Sequence, residues 1–486
     1  MSKRPVGPVD NLWLRMDTPE NLMVIDGVLW FSEPLDTEKV IAVLEERLPS
    51  RYPVFRQHPV PTRDPRYHAK WKDEKNFNIR NHIREVTLEA PGSQDQLQSY
   101  IDSLISLPLD TNRSPWEVHL IQGYGSGSAM YIRLHHAMAD GTALARVILE
   151  LTEDDPNQPD ATDNRGKSAA GRKVAQSPAD ADSGASSDES ENEGANEPET
   201  LTDQLVHSVT DLVSGASKVG LSMFSYATEL ADPRNYPDVA HLVSATGQTA
   251  AKLVGTTLPD TALSGNVGTA KNARWSDPIP LDQVKQVAHS HNATVNDVLV
   301  SILSGAMARY LVAHGQQPRD VSTMVPVNLR PLDRPLPSEL GNKFALVMLS
   351  LPLAAKAPLE RLAETKRRMD KIKESPEAVL TFGMISTFGS ASPSAARMMI
   401  DFFSNKAVGI TTNVPGPQTR RVFAGSPVSG VVGWAPGAGL QSLNACIFSL
   451  NGEITVGFKS DANVITDPEL LLSSFTAEYE ALVAAD

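Results

Sequence analysis

The residues best suited to chemistry are in Arg133-Leu134-His135-His136-Ala137-Met138-Ala139-Asp140-Gly141. An apolar run delivers two histidines. Four residues after His136 comes an aspartate, then a glycine. A neutral imidazole, with an ordinary pKa near ~6.5, is a natural general base close to neutral pH. Asp140 is placed to cap a following helix or to orient the loop. Gly141 permits a close backbone approach or an unusual φ. The plainer alternative is two polar residues that end a strand. Metal binding is a weak rival, because neighbouring strand residues point to opposite faces and would not chelate one ion.

A protein nucleophile is harder to find. No Gly-x-Ser-x-Gly elbow occurs in the chain. The single cysteine, Cys446, falls inside a strand pattern and reads as a buried structural thiol. A histidine base without a nucleophile points to direct transfer: His136 deprotonates a bound hydroxyl or amine, which attacks an activated acyl carbonyl.

These residues need strands and helices to place them. Leu22 to Phe31 is β-rich, and Thr37 to Leu48 reads as a helix. Trp116 to Gln122 and Met130 to Leu134 read as strands joined by the glycine-rich 123–127 loop, with a helix over Thr142 to Leu151. Farther on, Leu281 to His289 and Val295 to Ala313 read as helices, the second opened by a Thr294/Asp297 capping box and stopped at Gly315. Strands are expected at Ser322–Val327, Phe344–Leu351, Gly409–Thr412, Asn444–Leu450 and Glu453–Lys459, with Asn451-Gly452 turning the last pair.

The 486 residues divide into a first mixed α/β unit (1–151), an acidic disordered linker (152–200), a helical connector (201–270) and a second mixed unit (271–486). Formal net charge is −14, but residues 151–200 alone hold 13 acidic and 4 basic residues. The folded part is therefore nearly balanced and lacks the basic surface that nucleic acid requires. The linker has no aromatic residue and cannot offset its ordering entropy. Residues 201–230 carry a helical apolar stripe that packs on a domain or lies on a membrane; it lacks the basic face that favours the second reading. No signal peptide, spanning segment or disulfide framework is expected, which suits the cytoplasm.

Several blocks together resemble the bacterial wax ester synthase/acyl-CoA:diacylglycerol acyltransferase family. His135-His136-x-x-x-Asp140-Gly141 is similar to its active-site motif. Ser114-Pro115-Trp116-Glu117, Asn296-Asp297, Val325-Pro326-Val327-Asn328-Leu329-Arg330-Pro331, Gly341-Asn342 and Asn413-Val414-Pro415-Gly416-Pro417 resemble further family blocks in the same order. Two blocks depart from the pattern: Ser-Pro-Trp stands where relatives have Pro-Leu-Trp, and Met23-Val24-Ile25 where many have Met-His-Val.

The resemblance implies an α/β (α+β) fold of two chloramphenicol-acetyltransferase-like, CoA-dependent acyltransferase domains with an interdomain tunnel. It implies His136 as the base and Asp140 as an orienter, with His135 and Gly141 in the same catalytic turn. Long-chain acyl-CoA would be a co-substrate, with no cofactor and no metal. Diacylglycerol or a fatty alcohol would be the acceptor, met on the inner face of the membrane or on lipid inclusions. Asn296 and Asp297 are either first-turn helix residues or substrate-binding residues. Arg330 pairs with a carboxylate or binds CoA phosphates. Two other readings compete: a condensation or polyketide-associated acyltransferase using carrier-bound acyl groups, and a non-catalytic lipid-inclusion protein.

Overall fold

The computed structural model describes residues 3–62, 68–156, 256–330, 334–375, 377–378, 381–382, 385 and 403–486. Most of the acidic linker and the whole 201–230 stripe lie outside the described residues. The first part runs β1 (Lys3–Pro5), α1 (Pro8–Met16), β2 (Val24–Phe31), α2 (Thr37–Arg47), β3 (Gln57–Val60), β4 (Lys70–Asp73), β5 (Ile83–Thr87), α3 (Gln94–Ile105), β6 (Trp116–Tyr124), β7 (Gly127–His135), α4 (Gly141–Leu151) and β8 (Glu153–Asp154). The second runs β9 (Lys271–Trp275), β10 (Ile279–Pro280), α5 (Leu281–Ser290), α6 (Val295–Ala313), β11 (Val321–Asn328), β12 (Phe344–Leu351), α7 (Pro358–Lys373), β13 (Thr411–Val414), β14 (Arg421–Phe423), β15 (Ser426–Trp434), β16 (Leu443–Leu450), β17 (Glu453–Asp461) and α8 (Pro468–Ala485).

The seven-stranded sheet that carries the histidines has the order β5-β6-β7-β2-β15-β14-β8. Its centre is buried on both faces, and the side chains of β7 alternate between two cores. Met130, Ile132 and Leu134 enter one core with Trp116, Leu29 and α4. Ala129 and Tyr131 enter another with Val28, Trp275 and Trp434. This is the period of two expected of a strand. The apolar positions of β2, β6 and β7 therefore determine which way the end of β7 points.

Two of these strands come from the distant carboxy-terminal part. β15 pairs antiparallel with β2, and β14 pairs with β8. Residues 271–486 thus do not form a self-contained sheet system. The linker also begins later than residue 152, since Glu153 and Asp154 belong to β8. Residues 256–270 contain no helix, so the described end of the expected helical connector is irregular chain. The strand expected at Gly409–Thr412 sits two residues later, at Thr411–Val414.

The other expected elements agree closely. Asn451 and Gly452 both take positive φ, 51° and 80°, and turn β16 into β17. Thr294 and Asp297 make a reciprocal capping box at the start of α6. α6 is long and apolar enough to cross a bilayer by composition, but it lies in a further core of its own, against Leu471 and Phe475 of α8.

The sheets meet through a buried charge cluster. Asp26 of β2 accepts from Tyr131 Oη at 2.8 Å, Arg133 Nε at 3.3 Å and Lys459 Nζ of β17 at 2.8 Å. Arg133 also donates to Glu117 at 2.8 Å. β17 can approach this closely because residue 457 is glycine: a Cβ there would lie 2.5 Å from Val432 Cγ2.

Asp26→Ala would strand the Lys459 ammonium in the interior. We expect a loss of about 3–5 kcal/mol, the range for removing one partner of a buried pair. A lower denaturation midpoint in urea, with unchanged slope, checks it.

Candidate active site

β7 ends at His135, and main-chain bonds hold the turn that follows. His135 N donates to Pro115 O at 3.0 Å, and His136 N donates to Met23 O at 2.7 Å. Met138 N returns to His135 O at 3.0 Å. The two blocks that depart from the family pattern, at 114–116 and 23–25, therefore brace the histidines by carbonyl oxygens. A carbonyl contact tolerates a changed side chain.

The two histidines have different surroundings. His135 Nδ1 accepts from Ala137 N at 3.1 Å, which places its proton on Nε2, 3.8 Å from Asp17 Oδ2. His135 is thus engaged in closing its own turn. His136 is 6% exposed. Its ring stacks on Trp13 of α1, with centroids 4.0 Å apart and planes 20° apart, and lies 5.9 Å from Phe344 of β12. Burial pushes its pKa down to about 4, against smaller opposing effects that include the Asp140 charge and the Asn342 side chain. His136 is therefore neutral at physiological pH. Nδ1 is sealed in without a hydrogen-bond partner. Nε2 is not among the buried side-chain atoms left without a partner.

Asp140 caps α4, with Oδ1 accepting from Ala143 N at 2.8 Å. Oδ2 accepts from Lys343 N at 2.9 Å and from Arg330 Nε at 3.1 Å. Arg330 also donates to the carbonyls of Leu340 and Gly341. Of the two readings of Arg330, the geometry supports the carboxylate pair. Its Nε and Nη2 donors are committed to buried acceptors, which leaves little for a phosphate. Gly341 N further bonds Met138 O at 3.2 Å, and Asp140 N bonds Gly341 O at 3.3 Å. Gly141 does not need its glycine for backbone conformation, since its φ is not positive. A Cβ there would meet nothing within 4 Å, so the space before α4 is open.

Asn296 and Asp297 sit apart from this cluster. Asp297 Oδ2 accepts from Thr294 N at 2.8 Å within the capping box, and its Oδ1 is buried without a partner. Asn296 Oδ1 accepts from Asn413 Nδ2 at 3.2 Å. Among the described residues, no hydrogen bond joins either of them to His136. A shallow cleft is lined by Asn21, Lys271, Gln441 and Asp461 among others, and no residue of the His136 turn is in its lining. Cys446 is buried in β16, and burial pushes its thiol up to about 12, so no thiolate is available near neutral pH.

Three residues of the site are absent from the sequence-based assignment: Asp10, Trp13 and Asn342. Asp10 and Trp13 are three apart on α1 and share a helix face. That spacing was the available signal. Asp10 Oδ1 accepts from both N and Nδ2 of Asn342 at 2.8 Å, and Asn342 Nδ2 also reaches His136 O at 2.8 Å.

Comparison with known proteins places this geometry. Residues 6–299 match the wax ester synthase/diacylglycerol acyltransferase catalytic domain, and residues 340–483 match the WS/DGAT C-terminal domain. A putative diacylglycerol O-acyltransferase of Mycobacterium tuberculosis is 27% identical over 94% of this chain and 86% of its own. The O-acyltransferase WSD of Acinetobacter baylyi is 23% identical over 99% of this chain and 98% of its own. In fold, the chain is similar to the wax ester synthase/diacylglycerol acyltransferase of Marinobacter aquaeolei, with TM-score 0.64, 18% identity and 99% of both chains covered. It is also similar to the first condensation domain of the calcium-dependent antibiotic synthetase, with TM-score 0.57 and 14% identity over 99% of this chain and 96% of that one. The two-domain CoA-dependent acyltransferase fold is thereby established.

His136 should titrate near pH 4 by NMR, and Trp13→Ala, by admitting water, should move that midpoint up toward ~6.5. The unfolded imidazole takes its proton near ~6.5, so His136 costs stability as pH falls from there toward 4. Arg330→Ala should cost about 3–5 kcal/mol in chemical denaturation, because Asp140 loses its buried counter-charge.

Proposed function

The chain belongs to the wax ester synthase/diacylglycerol acyltransferase family, and on that premise we propose that it moves a long-chain acyl group from acyl-CoA to the hydroxyl of diacylglycerol or a long-chain alcohol. The products are triacylglycerol and wax ester. The observation that carries the mechanism is a buried His136 that stays neutral near physiological pH, while the single cysteine is a buried thiol pushed up to about 12.

His136 Nε2 takes the hydroxyl proton as the acceptor oxygen attacks the thioester carbon. The carbon–sulfur bond then breaks, and the departing CoA sulfur recovers the proton from Nε2. The proton and electron pairs balance without an acyl-enzyme or a resident cofactor, with acyl-CoA as a co-substrate. Burial favours this course, since an imidazole of depressed pKa returns its proton readily. Holding both reactants in one site also supplies orientation that two molecules meeting in water lack. An apolar acceptor places the working enzyme in the cytoplasm, at the inner membrane face or on lipid inclusions. The near-balanced charge outside the acidic linker gives no role to nucleic acid.

The test is release of CoA thiol from palmitoyl-CoA by purified protein. It should need added diacylglycerol or hexadecanol, and double-reciprocal lines should intersect when both substrates vary. His136→Ala should lower kcat by about 10²–10⁴-fold with the fold intact. Undiminished turnover in a folded His136→Ala protein, or a labelled acyl group trapped on the chain at the turnover rate, refutes the mechanism. Release from an acyl-carrier protein but not from acyl-CoA would favour a carrier-dependent condensation enzyme.

A further inference from the structure

Trp13 covers the base and keeps water from it, but its indole also carries a hydrogen-bond donor. Nε1–H is buried and has no acceptor, and Trp13 as a whole is only 7% exposed. Buried donors are nearly always paired, so one without a partner needs an explanation. Trp434 has an unpaired indole as well, but it packs with Val28 and Trp275 in the core on the other face of the sheet. Of the two, only Trp13 lies against His136.

Three rings meet there. The indole stacks on the imidazole with centroids 4.0 Å apart, and Phe344 lies 6.0 Å from the first and 5.9 Å from the second. The indole nitrogen belongs to the ring system that makes this stack, so its donor is about one ring away from the base. His136 itself is 6% exposed. An acceptor whose hydroxyl is to reach it must part this packing, and the same entry uncovers the indole. The atoms that adjoin the hydroxyl then come within reach of Nε1.

The two acceptors under consideration differ at those atoms. A long-chain alcohol continues in methylenes and offers the indole nothing. A 1,2-diacylglycerol carries an ester on the carbon next to its hydroxymethyl group, which sets a carbonyl oxygen a few bonds from the reacting hydroxyl. In a site this dry, a donor that finds an acceptor gains more than it would in water.

We propose that Trp13 selects the acceptor: Nε1–H donates to the ester carbonyl of diacylglycerol while the adjoining hydroxyl gives its proton to His136. Diacylglycerol is then the preferred acceptor, and a fatty alcohol reacts without this bond. The inference rests on His136 being the base of an acyl transfer. A polar contact discriminates better than one more methylene in an apolar pocket, because the wrong substrate leaves a buried group unpaired. Keeping the base dry and choosing the acceptor are separable tasks of one side chain, the first belonging to the ring and the second to its N–H.

The experiment uses Trp13→Phe, which keeps an aromatic ring on His136 and removes the N–H. For both proteins, kcat/KM is measured with palmitoyl-CoA and either 1,2-diacylglycerol or hexadecanol. The variant should lose about fivefold or more in the ratio of kcat/KM for diacylglycerol to that for hexadecanol. A change in the base itself cancels in this ratio, since it serves both acceptors alike. In wild type with ¹⁵N-labelled tryptophan, one indole proton should move downfield with diacylglycerol and stay in place with hexadecanol. Its absence from the Trp13→Phe spectrum identifies it. An unchanged ratio in folded Trp13→Phe overturns the proposal. So does an equal loss with both acceptors, which assigns Nε1–H to the thioester carbonyl instead. If Trp13→Phe does not fold, the wild-type spectrum still decides, because no indole proton shifted by diacylglycerol means no such bond. Failure of the base reading appears separately, as retained turnover in His136→Ala.

Discussion

The buried Asp140 carboxylate is the constraint on which the site depends. Taking a charge out of water is costly unless its acceptors are filled. Each source of donors fixes something different. Ala143 N–H begins α4, Lys343 N–H fixes the approach to β12, and Arg330 ties both to the end of β11. Satisfying this carboxylate therefore locks two segments two hundred residues apart. The histidine turn and the wall that faces it then hold a common geometry.

A second buried carboxylate, Asp26, acts similarly one layer away. Its partners on β7 and β17 bring the two sheet systems together. Because β15 also completes the amino-terminal sheet, the two parts of the chain are interleaved rather than merely in contact. The end of β7 is consequently held by main-chain bonds on both sides, while the walls around His136 come from both parts of the chain.

That enclosure sets the chemistry. Packing Trp13 and Phe344 about His136 withholds water from the ring and disfavours its cation. The imidazole is made less basic and stays unprotonated near neutral pH. Nearby groups restrain the depression: Asp140 by charge and Asn342 by its side chain. The same desolvation at Cys446 pushes its thiol up to about 12, so it carries no thiolate near neutral pH.

Local signals in the sequence were sufficient for elements whose cause is local. The helices over Thr37–Arg47 and Val295–Ala313, the β16–β17 hairpin and the two motif strands follow from periodicity, a capping box and an Asn-Gly turn. His136 and Asp140 were legible because adjacent histidines, a fixed step and a following helix are also local facts. The tertiary structure alone decided the pairing of β15 with β2, because strand partners depend on which apolar faces must be buried together. It also set Asp140 opposite Arg330, because an arginine's partner depends on what the fold places near it. For the same reason the contacts of Trp13 and Asn342 emerged only in three dimensions. The helix spacing of Asp10 and Trp13 and the Gly341-Asn342 block were visible, but not the stack or the shared amide they enter, and burial, which lowers the His136 pKa, is a property of the packed whole.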